Sequence, residues 1–128
     1  MTTARLTATR GSRHVWMGLV AFLVGCLALQ PGQGVQPDFV GQWGCDYPEI
    51  MERAERLKAE LPEGRAYIPQ VGWSACSVLA HVGQPDDVDR QQLGNQRSAT
   101  WWYRTDDDVK MLSLTQEGRQ WRVDYVGW

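Results

Sequence analysis

The most constraining feature of the sequence is the stretch from Val71 to Asp87, which contains the start, the apolar face and the end of one helix. Ser74 suits the N-cap position, because its hydroxyl can accept a hydrogen bond from a free N–H of the first turn. The apolar residues Ala75, Val78, Leu79 and Val82 follow the i, i+3, i+4, i+7 spacing of one helix face. Gly83 and Pro85 then end the helix, since glycine tolerates the C-cap conformation and proline cannot continue the helix.

The same stretch contains three short motifs, Val71-Gly72-Trp73-Ser74, Val78-Leu79 and Val82-Gly83-Gln84-Pro85. Further along, Trp101-Trp102-Tyr103 forms an aromatic strand motif, and Leu112 to Trp128 has the pattern of a closing hairpin. Together these residues resemble the signature of the SmpA/OmlA (BamE-like) family of small outer-membrane lipoproteins. The likeness is shared with the β-lactamase-inhibitor-like domains, so it implies an architecture more than a particular partner.

The amino-terminal residues have the features of a secretory signal. Three arginines and no acidic residue occur in residues 1–26, and an uncharged apolar run extends from Val15 to Leu29. This run is shorter than the ~20 apolar residues that a helix needs to cross a bilayer.

Leu23-Val24-Gly25-Cys26 resembles a lipobox, the bacterial motif whose cysteine receives lipid and becomes the new amino terminus. We therefore expect a lipoprotein-type signal peptide over residues 1–26 with lipid on Cys26. Cleavage after Ala28 and an uncleaved anchor are the alternatives. Residues 27–42, rich in glycine, proline and glutamine, have the composition of a flexible tether.

The predicted domain comprises residues 43–128. A first helix begins near Asp46, with Pro48 in its first turn, and its apolar face consists of Ile50, Ala54, Leu57 and Leu61. After the central helix, the polar segment from Asp86 to Gln96 is predicted to be a loop. Three strands follow, over Ser98–Arg104, Val109–Gln116 and Arg119–Trp128. The predicted fold class is α+β, with two helices packed on one face of a three-stranded antiparallel meander (α-α-β-β-β).

Strand alternation predicts a buried and an open face of this sheet. Trp121, Val123 and Tyr125 alternate with polar residues and are expected to point inward, and the family resemblance implies the same for Trp101 and Tyr103. The opposite face would bind a protein partner through Trp102, Arg104, Met111, Arg122, Val126 and Trp128. Interfaces are enriched in tryptophan, methionine and arginine. The alternative is that the tether or Trp43 folds back over these aromatic side chains.

Cys45 and Cys76 remain as an even pair once Cys26 is assigned to the signal, and an exported protein meets oxidising conditions. A disulfide between them would join the two predicted helices. In the alternative, Cys76 is a small buried hydrophobic residue and Cys45 is a free thiol.

No catalytic residue, metal ligand or cofactor is predicted. His81 is the only histidine after the signal, and it points away from Cys76 on their shared helix. The aspartates around Asp86 and Asp106 lack the spacing of a calcium loop. The residues after the signal contain ten basic and fifteen acidic side chains, a balance that argues against nucleic-acid binding.

The sequence therefore predicts a non-enzymatic envelope lipoprotein domain that binds other proteins. The resemblance implies an envelope or outer-membrane protein as the partner, a role in outer-membrane assembly or integrity, and a lipid-anchored location on the outer membrane facing the periplasm. The alternative is a soluble secreted or periplasmic protein that acts as an inhibitor, similar to the β-lactamase-inhibitor-like domains.

Overall fold

The chain forms a block of helices followed by a block of strands, and the computed structural model describes residues 29–106 and 108–128. The helices come first: α1 (Pro37–Gly41), α2 (Tyr47–Glu60) and α3 (Ala75–Val82). The strands follow: β1 (Asp87–Leu93), β2 (Gln96–Arg104), β3 (Val109–Glu117) and β4 (Gln120–Gly127). The predicted signal peptide over residues 1–26, including Cys26, lies outside the described residues. The α+β class agrees with the prediction, and the described part has one more helix and one more strand.

The four strands form one antiparallel sheet in the order β1-β2-β3-β4, so every strand pairs with its neighbour in sequence. Two-residue turns join β1 to β2 at Gly94-Asn95 and β3 to β4 at Gly118-Arg119. The outer edge of β4 is partly covered by the connector before α3. There the Gly72 N–H donates to the Val123 carbonyl at 2.8 Å, and the Val123 N–H donates to the Trp73 carbonyl at 2.8 Å.

Strand β1 lies where the sequence predicts a loop, from Asp86 to Gln96. All seven of its residues pair with β2, from Asp87 opposite Trp102 to Leu93 opposite Gln96. Every side chain of β1 except Val88 is exposed, because the strand forms the edge of the sheet. An edge strand with polar side chains on both faces shows no alternation of apolar residues, so the loop prediction was wrong here.

Helix α3 confirms the predicted helix. The Ser74 hydroxyl accepts a hydrogen bond from the Ser77 N–H at 3.1 Å, and Gly83 is the C-cap residue with a φ of 92°. The predicted apolar face is buried throughout: Ala75, Val78, Leu79 and Val82 are each at most 1% exposed. In α2, Ile50 and Ala54 are buried, whereas Leu57 and Leu61 are half-buried near the end of the helix.

The sequence predicts a flexible tether over residues 27–42. The structure describes this segment from residue 29, and there it is folded against the domain. Val35 and Val40 are buried at 6% and 1% exposure, and α1 occupies the second half of the segment. The turn before α1 docks on the end of α3, where the Gln84 N–H donates to the Gln33 carbonyl at 2.9 Å. The Gln84 side chain in turn accepts from the Gln36 N–H at 2.9 Å. The two valines supply enough apolar surface to dock a segment whose composition suggests disorder.

The helices and the amino-terminal segment cover one face of the sheet, and tryptophans fill the space between. Trp43 follows α1 and is 1% exposed. Its ring meets Trp101 of β2 edge to face at 5.0 Å and Trp121 of β4 at 4.8 Å. Edge-to-face contacts are favourable for aromatic pairs beyond the area that they bury. Trp43 therefore lies on the helix-covered face, and not over the opposite face as the alternative reading of the sequence had it.

Candidate protein-binding face

The side of the sheet turned away from the helices carries an apolar centre. We call it the open face; its central residues are Trp102 of β2, Met111 of β3 and Tyr125 of β4. Trp102 is paired directly with Met111, which is paired with Gly127. A Cβ atom at Gly127 would lie 2.9 Å from the Met111 sulfur and 3.4 Å from Cε2 of Tyr125, so the three side chains form one continuous surface. Trp102 is 36% exposed and Tyr125 is 57% exposed.

Charged side chains surround this apolar centre. Arg104 forms an ion pair with Asp87 at one end of the open face, and Arg122 forms one with Glu117 at 3.7 Å at the other end. Arg122 also donates to the Gly72 carbonyl at 3.1 Å and to the Gln120 side chain at 2.8 Å. These contacts hold both predicted arginines in place at the rim.

Two further carboxylates lie on this side of the sheet. Asp124 accepts a hydrogen bond from the Thr115 hydroxyl, and Asp89 of β1 is opposite Thr100. Neither forms an ion pair within residues 29–106 and 108–128. Asp89 was missed in the sequence because its strand was read as a loop; the Gly-Asn turn at residues 94 and 95 was the signal that indicated a hairpin.

The alternation predicted for β4 is wrong beyond Val123. A register shift between Ser113 and Leu114 leaves Asp124 as an extra residue: Leu114 is opposite Val123, whereas Ser113 is opposite Tyr125. Such a bulge reverses the face to which all later side chains point. Tyr125, predicted to be inward, therefore lies on the open face.

Val126 and Trp128, predicted to belong to the binding face, lie on the helix-covered side. Val126 is opposite the buried Leu112. Val126 and Trp128 both pack against the core. The Trp128 ring meets Tyr103 edge to face at 5.6 Å. Tyr103 is fully buried, and its hydroxyl donates to the Gly83 carbonyl at 2.9 Å. Burial raises the pKa of Tyr103 well above its ordinary value, and the Asp86 carboxylate adds to this effect, so the hydroxyl stays a donor.

The structure joins Cys45 and Cys76 at disulfide distance, with a Cα–Cα separation of 5.6 Å. This separation lies in the range that disulfides occupy. Cys45 precedes α2 and Cys76 is in the first turn of α3, so the bond connects the two long helices as predicted. It closes a loop between residues that are 31 positions apart.

His81 lies between two aromatic rings on the outer side of α3. Its ring centroid is 4.4 Å from that of Trp73 and 4.9 Å from that of Tyr67. Its Nδ1 lies 2.7 Å from the Ser77 carbonyl oxygen, so Nδ1 carries the hydrogen and donates. Burial lowers the pKa of His81, the hydrogen bond to Ser77 opposes that effect, and the charge of Arg53 lowers the pKa further. Cys76 of the same helix is bonded to Cys45, so its sulfur is not a free thiol that could pair with this imidazole.

Within residues 29–106 and 108–128, no three His, Cys, Asp or Glu side chains converge on a point where a metal ion would be held. Over the same residues, none of the helices has the length and apolarity needed to cross a bilayer. Comparisons of the chain with protein-family models, with curated proteins and with solved structures find no match.

Proposed function

We propose that this chain is a non-enzymatic protein of the cell envelope that binds another protein through the open face. The observation that carries the proposal is the contiguous surface of Trp102, Met111 and Tyr125 on the side of the sheet that the helices leave uncovered. Trp43, Trp101 and Trp121 are buried in the same domain, whereas Trp102 is left exposed on the open face. Tryptophan and tyrosine are enriched among the few residues that carry most of the binding energy of an interface, and methionine is enriched in interfaces generally.

The partner that fits this face has an apolar centre with basic side chains around it. Arg104 and Arg122 already have carboxylate partners within the domain, whereas Asp89 and Asp124 have no cationic partner among the described residues. A lysine or arginine of the partner placed opposite each carboxylate would match the charge and fix the orientation. The proposed partner is therefore an envelope or outer-membrane protein with a basic rim around an apolar patch, in keeping with the SmpA/OmlA resemblance.

The proposed location is the outer membrane, facing the periplasm, with a lipid anchor on Cys26. The disulfide between Cys45 and Cys76 supports an oxidising compartment. The residues of the signal and lipobox motifs supply the rest of the support.

The test is capture of the partner from a membrane extract of the native host, with the full chain carrying an affinity tag at its carboxyl end. Trp102→Ala should lower the yield of the captured protein at least tenfold, since central aromatic residues dominate binding. Ile68→Ala is the matched control, because Ile68 is also an exposed apolar residue, at 61%, and lies in the connector before α3 and not in a strand of the sheet.

Equal capture by wild type and Trp102→Ala would contradict the proposal. So would an equal loss in Ile68→Ala, which would place the binding surface on the connector. Capture of a secreted protein, with none from the membrane extract, would favour the inhibitor-like alternative.

A further inference from the structure

A groove of about 350 Å³ lies beside the turn that joins β1 and β2. Its lining residues are Arg90, Gln91, Gln92, Arg97, Ser98 and Trp121. Arg90 is paired with the buried Ala99, and Gln92 is paired with Arg97, so the two arginines are diagonal neighbours on one face of the sheet. Diagonal neighbours have Cβ atoms about 7 to 8 Å apart. The backbone therefore brings two guanidinium groups within reach of a single small ligand.

One of these arginines is fixed in advance. The guanidinium carbon of Arg90 lies 4.3 Å from the centre of the Trp43 ring, and its Nη2 donates to the Gln42 side chain at 2.9 Å. An arginine has five N–H donors, so most of them remain for another acceptor. Stacking on an aromatic ring holds the plane of the group and reduces the entropy lost on binding.

Neither arginine has an anionic partner in the described part of the chain. The ion pairs found there use Arg56, Arg104, Arg122 and Lys110, and no carboxylate lies within ion-pair distance of Arg90 or Arg97. The whole chain carries a net charge of −2, so the pair is not part of a generally basic surface. Like charges that are close in a sheet repel each other unless an anion lies between them.

We propose that this arginine groove binds a phosphate group, with Arg97 and the pre-positioned Arg90 as the two charged contacts. A phosphate dianion matches the two positive charges, and planar guanidinium groups hold phosphate oxygens with paired hydrogen bonds. Gln92 is directly opposite Arg97; its side-chain amide donates to the Gly94 carbonyl at 3.3 Å and has a second N–H for the phosphate. The phosphate belongs either to a soluble molecule or to a lipid headgroup, and the experiment distinguishes the two.

Titration with inorganic phosphate tests the proposal, followed by NMR of the arginine Nε–H and tryptophan Nε1–H signals of the full chain. We expect saturable shifts of the Arg90 and Arg97 signals. Arg97→Gln should weaken phosphate binding at least tenfold, because it removes one of two charge-assisted contacts. Arg65→Gln is the control, since Arg65 is an exposed arginine of the connector between α2 and α3; it should bind phosphate as the wild type does. Equal thermal midpoints of the two variants confirm that both are folded.

Shifts that do not saturate, or an Arg97→Gln variant that binds as tightly as Arg65→Gln, would overturn the proposal. A second arm separates the two sources of phosphate. Co-sedimentation with vesicles that contain phosphatidic acid, in excess of that with vesicles of phosphatidylcholine alone and with the excess lost in Arg97→Gln, assigns a lipid headgroup. Saturable binding of inorganic phosphate without co-sedimentation assigns a soluble phosphate-bearing ligand.

Discussion

Trp101 and Trp102 are adjacent in sequence and have opposite surroundings in the sheet. Trp101 is fully buried and contacts the rings of Phe39 and Trp43 at 5.7 and 5.0 Å. Trp102 points to the open face and is 36% exposed. This difference follows from the period of two along a strand, which places consecutive side chains on opposite faces. The two tryptophans are therefore a natural pair for separating stability from binding.

We expect Trp101→Ala to lower the free energy of unfolding by about 3 to 5 kcal/mol, since it removes a large buried side chain and leaves a cavity. Trp102→Ala should lower it by about 1 kcal/mol or less, because the side chain is already partly in water. Urea denaturation followed by circular dichroism measures both values. If Trp102→Ala unfolded the domain and Trp101→Ala were tolerated, the assignment of the two faces would be wrong.

His81 should make the stability of the domain depend on pH. Its pKa is lowered in the folded state from the ordinary value of 6.5, chiefly by burial. The unfolded chain therefore binds a proton more readily than the folded one. The contribution of neutral His81 to stability is complete above pH 6.5, and it is lost as the pH falls through the folded pKa. We expect the thermal midpoint of unfolding to decrease when the pH is lowered from 7.5 to 5.5. The decrease should be smaller in His81→Gln. The same decrease in both proteins would show that other groups cause it.

The predicted alternation of faces along β4 is wrong from Asp124 onward. The alternation of Trp121 and Val123 predicts correctly that both are buried, at 5% and 2% exposure. The bulge at Asp124 then reverses the faces of Tyr125 and Val126. Nothing in the local sequence marks this insertion, since both residues are compatible with either face of a strand. Only the pairing partner on β3 determines where the extra residue is accommodated.

At the scale of elements, the disulfide joins α2 and α3, which are separated in sequence by the connector between Glu60 and Ala75. In the chain-entropy model, a bond across 31 residues stabilises the folded state by on the order of 3 to 4 kcal/mol. We expect the double variant Cys45→Ser/Cys76→Ser to lose about this much. The wild type under reducing conditions should lose a similar amount. Two free thiols in the exported protein, detected by labelling without reductant, would contradict the disulfide.

The docking of the amino-terminal segment depends on Gly83. This residue has a φ of 92°, and a Cβ atom there would lie 2.5 Å from the Gln33 carbonyl oxygen. We expect Gly83→Ala to destabilise the domain by about 2 to 4 kcal/mol, through backbone strain and displacement of the segment. Gly64→Ala is the control: its φ of 77° is also positive, but nothing lies within 4 Å of the added carbon. It should cost about 1 to 2 kcal/mol. Equal losses of thermal stability in both variants would show that the contact with Gln33 contributes nothing.

The elements that the sequence predicted well are those with signals inside their own residues. Helix α3 has its cap, apolar face and terminating glycine in one stretch, and its bounds agree with the prediction. Strand β1 and helix α1 were missed because contacts with distant residues hold these segments in regular structure. The polar β1 is held by its pairing with β2, and α1 is fixed by the burial of Val40 and by the Trp43 that follows it. Composition alone cannot reveal such contacts.

For the whole molecule, the sequence predicted the α+β class and the side-by-side order of consecutive strands, but not the size of the sheet. The order follows because short turns join antiparallel neighbours. The open face was predicted in part: Trp102, Arg104, Met111 and Arg122 lie on it, whereas Val126 and Trp128 do not. The domain thus has one face of the sheet covered by its own helices and one with an exposed apolar centre.

The folded amino-terminal segment also affects how a lipid anchor would hold the domain. Because Leu29 already packs against the core, few residues remain to act as a tether after Cys26. Three residue steps separate Cys26 from Leu29, and an extended chain covers at most ~3.6 Å per step, or roughly 11 Å. In the proposed lipoprotein, the domain would therefore lie close to the headgroups.

Processing at Cys26 is therefore the prediction on which this arrangement depends. We expect the mature chain to carry an acyl mass on Cys26 and to partition into detergent, since acyl chains bind membranes through their buried methylene groups. Cys26→Ser should accumulate as unprocessed precursor, whereas Cys45→Ser, which alters a cysteine of the folded domain, should still carry the lipid. Mass spectrometry of the intact protein distinguishes these forms. A water-soluble mature chain that begins at Leu29 would show that the signal is cut after Ala28, and the domain would then be free to leave the membrane.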